Sequence, residues 1–346
     1  MPETVRINLA LQGGGAHGAF TWGVLDRLLE EEWIEIAGIS GTSAGALNGA
    51  ALKSGWVANG RAGARESLRA LWNEVSGLGD MRIPAWMENF VPDPYFVARA
   101  IEASPAFAFV DTLSRVVSPY AYGPFYQNPL AKVVGHFDYG RVCDEGQGPD
   151  LHICATRVRD GKVQVFTGDE INTDVILASA CLPTLFQAVE ITQPDGTTEA
   201  YWDGGYTGNP ALFPLFDPAL PDDIVIININ PIERRAVPRS AQDIQNRINE
   251  ISFNSSLLRE LRAIDFVQRL IGQGKIEDGS MKNARIHMIA DDALMNDLSV
   301  ATKLVPLATV IGQLHDAGAA AAEGFLAAHG TDLGQRQTLA LRQMFA

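Results

Sequence analysis

Cysteine is scarce in this chain. Three thiols, Cys143, Cys154 and Cys181, stand among 346 residues, an odd number at unrelated spacings. That pattern implies no disulfide framework and fits the reduced thiols of a cytoplasmic protein. Positive charge is short as well: 27 Lys and Arg against 41 Asp and Glu leave a formal net charge of -14. Nucleic acid is therefore not an expected partner, because phosphate binding draws on a surplus of cations. No apolar run reaches the roughly 18 to 20 residues that a spanning helix needs. Met1-Pro2-Glu3-Thr4 lacks the basic start of a signal peptide, so none is expected. Internal repeats and low-complexity tracts are missing too. What remains, 47% hydrophobic and 20% charged residues, is the composition of a globular chain able to bury a large core without a structural metal.

The hydrophobic pattern of the first 55 residues alternates two periods. Val5 to Leu11 is a short apolar run that ends in three glycines, and Phe20, Val24, Leu25, Leu28 and Leu29 follow at helical spacing. Ile34 to Ile39 forms a second β-branched run. It breaks at Ser40-Gly41-Thr42-Ser43 before a small-residue helix from Ala44 to about Lys53. Strand, loop, helix, strand, turn and helix in that order predict a parallel α/β sheet. Further strands are expected at Leu151 to Arg157, Lys162 to Thr167, Ala200 to Asp203, Asp223 to Asn230 and Arg285 to Ala290. A long helix is expected from Ile244 to Ile271, and the Ala-rich stretch from Leu314 to Ala328 reads as a helix covering the sheet.

Between Met81 and Tyr126 lie ten of the 28 aromatics and six of the 18 prolines, in 46 residues. Prolines at this density prevent long helices, and the aromatics need an apolar surface. An irregular insertion over one end of the sheet is expected, either a lid or apolar substrate wall, or an ordinary packed insertion.

Three short constellations carry chemistry. Gly41-Thr42-Ser43-Ala44-Gly45 is a G-x-S-x-G between a predicted strand and a predicted helix. At such an elbow the small flanking residues let strand and helix approach, and the serine oxygen projects from the turn. A turn that merely caps a helix would use the same residues. Gly13-Gly14-Gly15-Ala16-His17-Gly18 follows the first strand, where successive amides can converge on an oxyanion or on a phosphate. Its spacing also satisfies a dinucleotide fingerprint, the mark of a nucleotide-binding oxidoreductase. That reading needs an acid at the end of the second strand, where this chain has Ile39-Ser40-Gly41. Tyr201-Trp202-Asp203-Gly204-Gly205 ends a short strand on a carboxylate that is either a general base or part of an Asp-Gly turn.

Taken together, these motifs resemble the patatin-like phospholipase family. Its members pair a G-x-S-x-G serine with the Asp of a D-G-G or D-G-A motif and use an N-terminal glycine-rich oxyanion loop. Ala178-Ser179-Ala180-Cys181-Leu182-Pro183-Thr184-Leu185-Phe186 is similar to the family's A-S-A-x-x-P-x-x-F block. The resemblance implies Ser43 as nucleophile, Asp203 as general base and an oxyanion hole from Gly13, Gly14 and Gly15. Ala44 is added because the residue after a nucleophile often donates its amide. Gly18, Gly41, Gly45, Gly204 and Gly205 support the motifs. His17 departs from the commonest family pattern, which has Arg or Lys there. The Ser179 block and the Asn209-Pro210 turn are read as structural.

The expected fold is a single α/β domain over 1–346, with a parallel-rich central sheet flanked by helices. Residues 5–230 form its motif-bearing core, and 231–346 add helices and a strand. The expected function is hydrolysis of phospholipid, lysophospholipid or another hydrophobic ester, without metal or organic cofactor, at most in transient contact with a membrane surface. Two further readings stand beside the nucleotide-binding oxidoreductase. One is an α/β-hydrolase triad of Ser43, Asp203 and His287 or His315, disfavoured because only one strand precedes that of Ser43. The other is a non-catalytic lipid-binding protein. Arg234, Arg235 and Arg239 read as ordinary surface, and His152 and Cys154 as core or edge residues rather than metal ligands.

Overall fold

Val5–Leu11 (β1) and Asp223–Asn228 (β7) are mostly apolar because both faces of the sheet are covered. A computed structural model describes residues 4–77 and 118–345, apart from 235, 236, 240, 278 and 299. Residues 81–117 of the expected insertion and Arg235 lie outside this set.

The remaining strands are β2 (Ile34–Thr42), β3 (Asp150–Arg157), β4 (Val163–Thr167), β5 (Val189–Thr192), β6 (Thr198–Asp203) and β8 (Arg285–Ala290). The sheet has eight strands in the order β5-β6-β3-β2-β1-β7-β8, with β4 pairing on β3. From β3 to β8 the neighbours are parallel. β4 and β6 join β3 antiparallel, and β5 joins β6 antiparallel. The sheet thus has a parallel centre and one antiparallel side, as a parallel-rich α/β sheet flanked by helices.

Alternate residues face opposite layers. Ile7, Leu9 and Leu11 of β1, with Val225 and Ile227 of β7, belong to the core beneath helices α1 (Gly18–Leu28) and α2 (Ala44–Gly77). Ala10, Ile224 and Ile226 face Leu257, Leu261 and Ile264. The helix α2 runs well past the expected end at Lys53, with non-helical backbone at Asn59 and Gly60 inside it. Short helices α3 (Leu130–Val134) and α4 (Tyr139–Val142) precede β3, and α5 (Thr173–Ser179) follows β4.

After β7 the chain enters α6 (Ala241–Gly272), whose second half buries Leu257, Leu261 and Ile264. Ile244, Ile248 and Ile251 are exposed. Beyond β8 come α7 (Asp292–Asp297), α8 (Val300–Leu304) and α9 (Ala308–His329), the last packing against α1 as a cover of the sheet. The described end of the insertion docks beside β5: the Tyr126 and Tyr120 hydroxyls accept from the amides of Gln187 and Ala188, at 3.2 and 3.0 Å. Among the described residues no helix is long and apolar enough to cross a membrane.

Candidate active site

Ser43 occupies the turn between β2 and α2 with φ of 54°, the only non-glycine residue with positive φ among those described. A side chain in that backbone region is strained and must be held by its surroundings, as at a nucleophile elbow. The holding groups are explicit. Ser43 N–H donates to Ser179 Oγ at 2.9 Å, and the Ser179 hydroxyl donates to the Cys154 carbonyl of β3 at 2.6 Å. The residues read as motif support explain themselves sterically: a side chain at Gly45 would strike the Leu11 carbonyl, one at Gly41 the Gly45 carbonyl, and one at Gly18 the Ala44 methyl. The start of α2 lies directly after Ser43, where its amides favour developing negative charge.

Asp203 ends β6 and is 1% exposed. Its amide donates to the Cys181 carbonyl at 2.8 Å, and its own carbonyl accepts the Thr156 hydroxyl at 2.8 Å. Carboxylate Oδ1 accepts from Gly205 N–H at 2.7 Å, whereas buried Oδ2 makes no complete hydrogen bond. Burial pushes the Asp203 pKa up to about 7, partly offset by the Gly205 amide and by the nearby Ser43 hydroxyl. Gly204 lies against the Cys154 carbonyl and the Thr42 methyl, which ties the Asp203 turn to the end of β2.

The glycine loop comes to the same place. A Cβ on Gly13 would lie 2.7 Å from Ser43 Cβ, so only a glycine backbone can pass there. Gly13 N–H, however, donates to Asn209 Oδ1 at 2.7 Å. The Gly13 amide, expected among the oxyanion donors, is thus engaged by a side chain in this structure. Among the described residues none accepts from the amides of Gly14, Gly15 or Ala44. Gly14 is buried and Gly15 exposed, the latter with φ of 59°.

Polar residues that sequence reasoning missed hold the loop. Gln12 Oε1 accepts from the amides of Ile229 and Asn230 at 2.9 and 3.1 Å. Asn230 Nδ2 donates to the Gly13 carbonyl at 2.7 Å. Asn209, read as part of a structural turn, clamps Gly13 itself. None of these had a signal beyond a polar residue beside an apolar run. His17 is buried, with Nε2 2.8 Å from Thr302 Oγ1, and burial, Lys303 and Arg234 hold its pKa well below the usual value. Arg234 is not the ordinary surface residue expected: it turns inward and grips Glu250 through two bonds of 2.6 and 3.1 Å.

Both histidines of the triad reading are engaged elsewhere. His287 is fully buried between Asp223, 3.0 Å from Nε2, and Thr338, 3.1 Å from Nδ1. Asp223 starts β7, at the end of the parallel strands opposite Ser43. His315 contacts Asp26 and Asp316 and packs on Trp22.

The sequence profile of the family described as Patatin-like phospholipase matches residues 9–216, well over half of the chain. The chain belongs to this family. Membership places it among proteins that act on lipid esters as hydrolases. Among solved structures, VipD from Legionella pneumophila is similar with a TM-score of 0.44 and 14% identity, covering 95% of this chain and 67% of its own. ExoU, in the ExoU-SpcU complex of the type III secretion system of Pseudomonas aeruginosa, gives 0.30 and 16%, covering 99% and 66%. The patatin-like chain thus spans about two thirds of each. Among curated proteins none matches it.

Proposed function

We propose that this patatin-like protein hydrolyses acyl esters of phospholipids or lysophospholipids through a Ser43–Asp203 dyad and an acyl-enzyme. The observation that carries this reading is the Asp203 carboxylate. It is buried and fixed through its backbone and Oδ1, with Oδ2 free to accept, and its pKa of about 7 suits a general base near neutral pH. Asp203 takes the Ser43 hydroxyl proton as Oγ attacks the ester carbonyl. The amides of Gly14, Gly15 and Ala44 stabilise the tetrahedral oxyanion. Asp203 returns the proton to the departing alcohol, then accepts one from the water that attacks the acyl-serine and gives it to Ser43 Oγ as the acyl–serine bond breaks, freeing the fatty acid and restoring the serine hydroxyl. No step requires a histidine.

Exposed Ile244, Ile248 and Ile251 support contact with a lipid surface, since they lie on the helix that packs against Gly205 through Phe253. The test is fatty acid release from phosphatidylcholine and lysophosphatidylcholine vesicles by the wild type and by Ser43→Ala. Release that disappears in the variant is expected. Vesicle binding without release by the wild type would make the protein a lipid binder instead.

A further inference from the structure

The peptide joining Gly13 to Gly14 presents Gly13 O at one end and Gly14 N–H at the other. Gly13 O accepts from Asn230 Nδ2 at 2.7 Å, and Asn230 Oδ1 accepts from Lys303 Nζ at 2.9 Å. An ammonium group, a side-chain amide and a backbone peptide thus stand in series behind Gly14 N–H. Hydrogen bonds in series polarise one another, and withdrawing electrons at a peptide oxygen makes its N–H a stronger donor.

We infer that Lys303 is a positioning residue of the hydrolytic site, acting through Asn230 to polarise the Gly13–Gly14 peptide and strengthen Gly14 N–H as an oxyanion donor. The inference rests on the proposed role of Gly14. Its charge environment supports it. Lys303 Nζ lies 3.5 Å from Glu250 Oε1, and the same carboxylate pairs with Arg234 and, at 3.3 Å, with Arg247. Among the described residues Glu250 therefore answers three cations, although the chain as a whole carries -14.

The loop's own ionisable side chain, His17, is kept neutral by burial and by these cations, which leaves Lys303 as the charge linked to the loop. Burial lowers the Lys303 pKa, Glu250 raises it and Arg234 lowers it further. The Lys303 carbonyl also lies against Gly15, so α8 touches the loop directly.

The test separates charge from packing with Lys303→Gln, which keeps a donor, and Lys303→Arg, which keeps the cation. Hydrolysis of p-nitrophenyl butyrate is measured per site titrated to completion with a fluorophosphonate. Lys303→Gln is expected to lower kcat about tenfold with KM little changed, less than the loss of a whole oxyanion donor, which is about a hundredfold or more. Lys303→Arg should stay within about threefold of wild type. Asn230→Ala, which cuts the same series one link later, should reproduce the loss, and Lys303→Gln should then cost less than about twofold on that background. The proposal is overturned by an undiminished kcat in Lys303→Gln, by the same loss in both backgrounds, or by a full-rate Asn230→Ala. A wild type without esterase activity, or an active Ser43→Ala, would instead remove the dyad reading on which the inference stands.

Discussion

Thr42 and Asp203 occupy adjacent registers on β3: Thr42 pairs with Cys154 and Asp203 with Ala155. β4 covers the other edge of β3 over Ala155 and Thr156, so β6 continues the line of β2 from the opposite direction. Two strands whose C-terminal ends meet along a third bring the serine after Thr42 and the carboxylate of Asp203 together. Under the proposed dyad the antiparallel side of the sheet would have a catalytic purpose, because a parallel β6 would direct Asp203 away from Ser43.

Asp203→Asn should lower kcat/KM by at least about a thousandfold, since amide nitrogen cannot take the serine proton. It should also stabilise the fold. The folded pKa of about 7 lies above the ordinary 3.8. The native state thus binds the proton more tightly, and stability falls as the pH rises between these values. The gain in Tm of Asp203→Asn should be larger at about pH 8 than at about pH 5, as thermal melts at both pH values would show.

The same pKa sets the acid limb of activity. The log of kcat/KM for a soluble ester should rise with unit slope to a bend near pH 7, because only ionised Asp203 accepts the proton. A limb that bends near pH 4 would show that the catalytic base is not in this buried environment.

His287→Ala should cost about 1 to 3 kcal/mol of stability, because it removes a buried hydrogen-bond partner of Asp223. Asp223 is pushed up by burial, but His287, Arg285 and the Gly334 amide hold its pKa down at about 2. Activity per folded molecule should stay within about twofold, as should that of His315→Ala. Chemical denaturation and kinetics on the same samples separate the two effects.

Ser179→Ala removes the hydroxyl between Ser43 N–H and the Cys154 carbonyl. It should cost about 1 to 3 kcal/mol of stability and about tenfold in kcat, as the strained serine loses its restraint. A Ser179→Thr variant that recovers the rate would place the effect in the hydroxyl.

Much of this site was legible because its motifs are local. Gly41 to Gly45 and Asp203 to Gly205 each lie within five residues, and the strand ends that carry them follow from apolar runs flanked by small residues. The polar support was not legible. Gln12, Asn209, Asn230, Glu250 and Lys303 come from remote segments, and each is an unremarkable polar residue until the sheet brings it under the glycine loop. The commitment of Gly13 N–H to Asn209 had no sequence signal for the same reason. The direction of β6 was hidden too, because a half-buried strand alternates in the same way in either orientation. The exposed face of Ile244, Ile248 and Ile251 has helical spacing like any core stripe, so periodicity alone could not tell which half of α6 is covered.

The most direct test of the account is fluorophosphonate labelling followed by mass-spectrometric mapping of the modified peptide, in the wild type, Ser43→Ala and Asp203→Asn. The dyad predicts stoichiometric modification at Ser43, none in Ser43→Ala and severely slowed labelling in Asp203→Asn. Modification at another residue, or none on folded wild-type protein, would contradict it.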